Sequence, residues 1–441
     1  PEAPAEAAAE PPPPPSEAPA EAAPPPAEAP AEGTQQPAVL GHARSNYVLL
    51  EAEAPAEAPP PAAEELAVEA APPTAEAEVT AATPPVETDP PGAEPPPTEV
   101  KPLPVPEAMA VAEPIEVVLS GKILEGQWFA DSVPPNTGAL DCSECGLKDL
   151  PGEVLASLSL LTKLDLHSNS LTALPGEIGG CAALESLEVY SNKIKELPKA
   201  LATLSKLKTL NAFNNVIKKL PTELGAMGSL EEVNVAANKL MMTTDPCFAS
   251  WGSVKILSLY ENNLVRMGSL APLVSLEELR INNNNLEEMP TLSSAGHPNL
   301  TVYEIHKNRI ATIPDDYFKG TPALQRLSAW ANKLSGLPPS LCECSSLLGV
   351  QAHENQLAAL PAKALSASLE TLFVQDNKPL TALPNWLGAA ACPNLKRVNL
   401  TNLALDEESL TIADEIQKLV VSSQGGIFWD TSGAKMAGIT G

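Results

Sequence analysis

Two pairs of cysteines have spacings that occur among zinc ligands. Cys142 and Cys145 form a C-x-x-C pair, and Cys342 and Cys344 form a C-x-C pair. A structural zinc ion needs about four such ligands, which two pairs can supply only if they lie close together. The chemistry of these residues therefore depends on the elements that separate them along the chain.

Three histidines, His167, His306 and His353, share one position of a repeated motif. Histidine binds zinc and titrates near neutral pH, so a metal site and a protonation-dependent interface are both hypotheses for this set. No glycine-rich phosphate loop, H-E-x-x-H or G-x-S-x-G motif occurs in a fitting context. The sequence offers no other familiar catalytic motif.

The motif that places these residues is L-x-x-L-x-L-x-x-N-x-L-x-x-L-P. It occurs ten times, from LTKLDLHSNSLTALP (161–175) to LETLFVQDNKPLTALP (369–384). Its asparagine recurs every 22 to 24 residues, at Asn169, Asn192, Asn215, Asn238, Asn262, Asn284, Asn308, Asn332, Asn355 and Asn377. Two degenerate units flank the ten, with Cys145 and Leu403 at the asparagine position. Such regular spacing indicates a repeat architecture of about twelve units.

Each repeat predicts a short strand followed by a return segment. In L-x-L the two leucines point to one side of a strand and the intervening residue to the other. Stacking such strands in parallel requires a return of a dozen or more residues, in which proline can begin a turn or short helix. The asparagine lies where the chain leaves the strand, and we expect its amide to pair buried backbone groups of adjacent repeats. The ten asparagines are predicted to form a ladder.

This architecture separates the candidate metal ligands. The two cysteine pairs would be eight repeats apart, about 40 Å at strand spacing, and even His306 and His353 would be about 10 Å apart. We therefore predict buried, apolar cysteines, no metal site and no cofactor. Cysteine at the asparagine position, as at Cys145, is a weakly hydrogen-bonding substitute that we expect to be tolerated near an end of the stack.

The motif resembles that of the leucine-rich-repeat family over about 60% of the chain. The 23-residue step and the recurrent L-x-x-L-P resemble the intracellular Ras-group-related, Ras-suppressor-like type. The resemblance implies an α/β fold: a solenoid with a curved parallel β-sheet on the concave face and short helices or turns on the convex face. It also implies a scaffold that holds a partner, such as a small GTPase or a phosphatase subunit. The stretches 241–256 and 264–276 lack L-P and depart from the pattern.

The variable positions of L-x-L-x-x-N predict three exposed columns on the concave face. The middle column holds seven of the 21 aromatic and histidine residues of the chain. Amphipathic rings on a strand face are typical of interface anchors, although strands favour aromatics anyway and the rings could instead pack against one another. The predicted partner-binding residues are His167, Tyr190, Phe213, Tyr260, Arg280, His306, Trp330, His353 and Phe373. The third column, which starts at Ser168, Ser191 and Asn214, is also expected on this face.

The remaining segments are predicted to flank the repeats. Residues 1–115 hold 30 of the 48 prolines and 21 acidic against two basic residues, which predicts a disordered acidic tail rich in Pro, Ala and Glu. An island at 38–51 is either a docking motif or a chance sequence. Residues 116–136, with Trp128 and Phe129, are expected to cap the first repeat, and 137–403 to form the repeats. Residues 404–441 are expected to form a C-terminal cap helix, near 405–420, and a tail.

Charge and cysteine content limit the classes of function. The net charge of −28 argues against nucleic-acid binding, and no apolar run is long enough to span a membrane. Seven scattered cysteines favour a reducing compartment, and we expect the cytoplasm.

We expect a non-catalytic protein-interaction scaffold rather than an enzyme, because tail, repeats and caps leave no segment long enough for a catalytic domain. A regulatory subunit that directs a small GTPase or phosphatase, and a structural component of a large assembly, are alternatives. A third is the C-terminal part of a larger enzyme, suggested because residue 1 is Pro1 rather than methionine.

Overall fold

A computed structural model describes residues 113–124, 132–388, 391–423, 425–433 and 435–437. The acidic tail up to residue 112, the island at 38–51 and the two aromatic residues predicted for the N-terminal cap, Trp128 and Phe129, lie outside these residues. No helix among the described residues has the length and apolar content needed to cross a bilayer.

The described residues form one sheet of fifteen strands whose spatial order follows the sequence. Strands β1 to β14 are parallel, and β15 pairs antiparallel with β14. The first eight strands are β1 Ile115–Val118, β2 Thr137–Asp141, β3 Lys163–Asp165, β4 Ser186–Glu188, β5 Thr209–Asn211, β6 Glu232–Asn234, β7 Ile256–Ser258 and β8 Glu278–Arg280. The others are β9 Val302–Glu304, β10 Arg326–Ser328, β11 Gly349–Gln351, β12 Thr371–Phe373, β13 Arg397–Asn399, β14 Ile427–Trp429 and β15 Lys435–Ala437.

Equivalent motif positions pair across neighbouring strands. Leu164 of β3 is opposite Leu187 of β4, and Asp165 is opposite Glu188. The same register continues to β13, where Phe373 of β12 is opposite Asn399. Each motif position therefore forms a column that runs across the sheet. The predicted leucine-rich-repeat solenoid, with its parallel curved sheet, is confirmed.

The return segments carry short helices that start at the motif proline. Helix α1 is Gly152–Leu155. In the described part of the chain, six 3₁₀ helices follow at Gly176–Gly180, Lys199–Thr203, Thr222–Ala226, Asp245–Phe248, Pro339–Glu343 and Asn385–Leu387. Proline is the residue before the first turn in most of them, for example Pro175 and Pro198, with φ near −68°. Its fixed φ suits the entry to a helical turn, as the L-P motif predicted.

The core is a continuous row of leucines between the sheet and the helical turns. Leu164, Leu166 and Leu171 of one repeat are fully buried, and the equivalent residues of later repeats repeat this pattern. Full burial of such a side chain contributes about 1.5–3 kcal/mol relative to exposure. Because a single repeat cannot cover its own leucines, this stabilisation depends on the stacking of neighbours.

Helix α2, Glu407–Ser422, closes the C-terminal end of the described repeats. Asp406 caps it by accepting a hydrogen bond from the Ser409 backbone N–H at 2.8 Å, and the Ser409 hydroxyl accepts one from the Leu383 N–H at 2.8 Å. Ile416 is fully buried, whereas Leu410, an apolar position of the predicted helix, is 45% exposed. Strand β14 then extends the sheet beyond the last repeat.

Candidate binding face of the solenoid

The predicted partner-binding residues lie on the outward face of the sheet. Seven of them occupy the position two residues after a strand, and the other two, Arg280 and Phe373, end strands β8 and β12. We call this set the ridge; its members are His167, Tyr190, Phe213, Tyr260, Arg280, His306, Trp330, His353 and Phe373. Stacking of the repeats therefore brings residues from nine repeats onto one face.

The columns on this face differ from the prediction in two respects. The third predicted column, including Ser168, has φ between 49° and 59°, so its residues form the turn that leaves the sheet rather than a strand column. Conversely, the first residue of each strand faces the same side as its third, which adds a column that includes Lys163 and Arg326. Strand alternation alone could have identified that column.

The ridge rings are stacked on one another and are only partly exposed, contrary to the predicted exposed column. The ring centroids of His306 and Trp330 are 4.6 Å apart, and those of Trp330 and His353 are 5.1 Å apart, with nearly parallel planes. These distances match the spacing of neighbouring strands, about 4.7–4.9 Å. His353 and Phe373 then meet edge to face at 6.5 Å, and Phe373 meets Trp429 at 6.0 Å. Phe373 is buried, with 8% of its surface exposed.

Two smaller ring groups lie nearer the N-terminal strands. His167 stacks on Tyr190 at 4.4 Å. Phe213 and Tyr260 have centroids 6.2 Å apart although two repeats separate them, which is about 9–10 Å of strand spacing. The two rings therefore lean together over Ala236, whose side chain is fully buried. The arrangement agrees with the alternative that the rings of the aromatic column pack against one another. The edges of the rings remain on the surface.

The N-terminal part of the face is acidic. Asp141, Asp165 and Glu188 are neighbours in one column. Burial raises the pKa of Glu188, and the nearby Asp165 raises it further. Burial, with the same carboxylates, also raises the pKa of Tyr190 to about 12. His167 Nδ1 lies 2.6 Å from an Asp165 carboxylate oxygen.

Arg280 is already engaged by carboxylates of the face. Its guanidinium lies 2.6 Å from Glu278 and 3.9 Å from Glu304. Burial raises the pKa of Glu304, and Arg280 opposes that rise. A partner that bound Arg280 would therefore compete with two existing ion pairs.

His306 and His353 stay neutral at neutral pH. Burial lowers the pKa of each to about 4. The hypothesis of an interface that titrates near neutral pH is therefore wrong for these two rings, because stacking against Trp330 excludes the water that would solvate their charged forms. Lys307 places a cation at the stack, because its Nζ lies 5.1 Å from the Trp330 ring centroid.

Each motif asparagine is buried and joins two repeats. Asn192 Oδ1 accepts a hydrogen bond from the Leu171 N–H at 3.0 Å, and its Nδ2 donates to the carbonyls of Leu166 and Val189. The other nine, Asn169, Asn215, Asn238, Asn262, Asn284, Asn308, Asn332, Asn355 and Asn377, make the equivalent contacts. At the degenerate first unit, the Cys145 thiol donates to the carbonyls of Leu119 and Ser143 and so replaces the donor half of the amide.

The cysteines lie along the core. Six of the seven are buried, Cys342 is intermediate, and all seven are free thiols. Burial raises the pKa of Cys181 and of Cys392 to about 11. In the described part of the chain, no group of three or more histidine, cysteine or acidic residues is placed to hold a metal ion.

Comparisons with known proteins agree with this fold. Residues 139–250 match a family model described as a leucine-rich repeat region, and residues 228–286 match one described as leucine rich repeat. Keratocan of Gallus gallus is 31% identical over 165 residues, which cover 36% of this chain and 44% of keratocan. Lumican of Gallus gallus is 31% identical over 191 residues, which cover 41% of this chain and 53% of lumican. The chain thus spans about half the length of the curated relatives it matches.

Solved structures show the same fold at low identity. The leucine-rich repeat domain of APL1B has a TM-score of 0.56 and 21% identity, and the match covers 67% of this chain and 84% of that domain. A TDR receptor has a TM-score of 0.52 and 22% identity, with 70% of this chain and 59% of the receptor covered. The repeats, the sheet and these matches agree on a leucine-rich-repeat fold for this chain.

Proposed function

We propose that this protein is a non-catalytic scaffold that binds a partner protein on the concave face of its solenoid. The observation that carries this proposal is the row of rings formed by His306, Trp330, His353, Phe373 and Trp429, which crosses the last strands of the face. Rings held by their neighbours lose little conformational freedom when a partner binds, so their contact area contributes efficiently to affinity.

The two ends of the face differ in chemistry, which would orient the partner. The acidic end, with Asp141, Asp165 and Glu188, favours a basic segment, and the ring end favours an apolar one. A partner bound in the reverse direction would place its basic segment on apolar rings. The charge pattern would therefore select one orientation.

We further propose that the chain is of the intracellular Ras-group type, which its 23-residue step supports, although the relatives that it matches are keratocan and lumican. A regulatory subunit that directs a small GTPase or a phosphatase remains the alternative, as does a structural role in an assembly. Catalytic activity that co-purifies with the full chain, and disappears with a ridge variant, would favour the regulatory alternative.

We also propose a cytoplasmic location, which the seven free thiols support. A reducing compartment keeps buried thiols unpaired. Thiol counting on denatured protein, isolated under alkylating conditions, should find seven free cysteines. A disulfide between any two of them would contradict the assignment.

Affinity capture with the full chain tests the binding face. Trp330→Ala removes the centre of the ring row, and Tyr260→Ala removes a ring of a separate group; each should reduce capture of the partner at least tenfold. Val274→Ala is the matched control, because that side chain is 54% exposed and lies outside the strand face. Unchanged capture by both ring variants, with circular dichroism like that of the wild type, would contradict the proposal.

A further inference from the structure

A second surface lies beside the asparagine ladder, where the chain has left the sheet. An open groove of about 740 Å³ crosses adjacent repeats there. It is lined by Thr172, Ala173, Lys195, Glu196, Val216, Lys218 and Lys239. None of these residues belongs to the ridge, so the groove is separate from the proposed concave binding face.

The lysines of this groove differ from those lysines of the solenoid that pair with a glutamate of the preceding repeat. Lys208, Lys255 and Lys396 each lie within 2.8 Å of a glutamate carboxylate of the preceding repeat. Lys195, Lys218 and Lys239 are exposed and form no salt bridge with any described residue. Three lysines and one glutamate, Glu196, line the groove, so its lining is net positive in a chain with a net charge of −28.

Exposed apolar side chains continue the lysine column. Lys195 and Lys218 lie three residues after their motif asparagines, and the next two repeats place Met241 and Val265 at that position. Met241 is 63% exposed, Met242 55% and Val265 42%. They lie in the stretches that lack L-P, where Thr243 and Thr244 take the place of the leucine and proline.

The backbone holds this apolar strip in a fixed position. The Val265 N–H donates to the Met241 carbonyl at 3.0 Å, and Met242 pairs with Arg266 in an isolated parallel bridge. Methionine side chains adapt to irregular apolar surfaces and are common where binding surfaces must accommodate a partner. Three exposed apolar side chains next to three lysines are therefore suited to a ligand that is both anionic and apolar.

We propose that this surface, the lateral groove (Lys195, Lys218, Lys239, Met241, Met242 and Val265), docks an acidic segment of a partner protein that also carries apolar side chains. Charge complementarity selects the acidic residues, and the methionines select the apolar ones. The column from Lys195 to Val265 spans three repeat steps, about 14–15 Å, which about five residues of extended peptide would cover. A long polyanion is disfavoured because the rest of the chain is acidic and would repel it.

Fluorescence anisotropy with the full chain tests this docking. The probe is a fluorescein-labelled ten-residue peptide of alternating glutamate and leucine. The variant Lys195→Glu/Lys218→Glu/Lys239→Glu should weaken its binding at least tenfold. The variant Lys206→Glu/Lys333→Glu/Lys378→Glu changes the net charge equally at exposed lysines outside the groove and should weaken it less than threefold. Met241→Ser/Met242→Ser should weaken binding several-fold without changing charge.

Four outcomes would overturn the proposal. The first is no binding of the peptide to the wild-type chain, and the second is equal weakening by both lysine variants. A ten-residue glutamate peptide that bound as tightly as the glutamate–leucine peptide would show that the apolar strip has no role. Binding to phosphatidylserine vesicles that depended on the same lysines, without peptide binding, would assign the groove to a membrane surface. Circular dichroism of every variant must match the wild type.

Discussion

Replacing Asn308 with alanine should destabilise the solenoid at one defined hydrogen bond. Asn308 Oδ1 accepts from the Leu286 N–H of the preceding repeat at 3.0 Å. Among the described residues, no other acceptor is found for that N–H. The donor side is different, because the carbonyls of Ile281 and Ile305 also accept from Asn284 and Asn332 respectively. The ladder is therefore redundant for carbonyls and not for N–H groups.

This difference between the carbonyls and the N–H group determines how much stability the variant should lose. A buried N–H left without a partner costs about 1–3 kcal/mol, and a carbonyl that keeps one of two donors costs little. With the small void left by the amide, we expect Asn308→Ala to lower the free energy of unfolding by about 2–3 kcal/mol. At a urea m-value of about 3 kcal/mol/M, the unfolding midpoint should fall by about 0.7–1 M.

Urea unfolding followed by circular dichroism measures this change. Asn282→Ala is the matched control, since the Asn282 Oδ1 atom has no hydrogen-bond partner among the described residues. That variant should cost less than about 1 kcal/mol because its carbonyl oxygen satisfies no buried donor. Equal stability of the two variants, or a loss below about 0.5 kcal/mol in Asn308→Ala, would refute the reasoning.

Replacing Asn308 with aspartate separates the two halves of the amide. Aspartate keeps an acceptor for the Leu286 N–H but points its second oxygen at the carbonyls of Ile281 and Ile305. Such contacts favour the protonated carboxyl, so the variant's deficit relative to wild type should shrink as the pH is lowered from 7 to 5. A deficit that did not depend on pH would contradict this account of the donor half.

Two further predictions concern the ring stack and a close backbone approach. Burial lowers the pKa of His306 and His353 to about 4, whereas in the unfolded chain it is near 6.5. The unfolded chain therefore binds more protons between these values, and stability should fall as pH drops through this window, by about 2–3 kcal/mol per ring. Urea midpoints at pH 7 and 4.5 should show a smaller difference in His306→Gln/His353→Gln, and an unchanged difference would contradict the assignment. Gly296→Ala should cost more than about 3 kcal/mol in the same assay, because Gly296 has φ +83° and its new Cβ would collide with the Gly320 backbone. Gly336→Ala, with no atom within 4 Å of the new Cβ, is its control and should cost under about 1 kcal/mol, and similar losses in the two variants would contradict the prediction.

The periodic sequence was sufficient to predict the repeat register. The step of 22 to 24 residues between asparagines gives the positions of strands β3 to β12 and of the turns that follow them, because a solenoid repeat contacts only its neighbours. Local pattern and tertiary contact therefore coincide for residues such as Leu164 and Asn192. The proline at the start of each helical turn was predictable for the same reason, since its φ is fixed by its own ring.

Ring burial could not be predicted in this way. The middle column at His306, Trp330 and His353 follows from the register, but the sequence left open whether the rings point outward separately or stack. The 4.6 and 5.1 Å centroid distances arise because the strand spacing is close to the centroid separation of offset-stacked rings. The lowered pKa of both histidines follows from that stacking and from no feature of the sequence.

In the lateral groove, too, the sequence determined some features and the tertiary structure decided others. The sequence determined that Lys195, Lys218 and Met241 share a motif position and that L-P is missing at 241–256. Only the tertiary structure decided that these lysines lack carboxylate partners while Lys208 and Lys255 have them. Ion pairing depends on where side chains of adjacent repeats meet, within a few ångströms, and a motif with 22 to 24 residues per step does not specify distances on that scale.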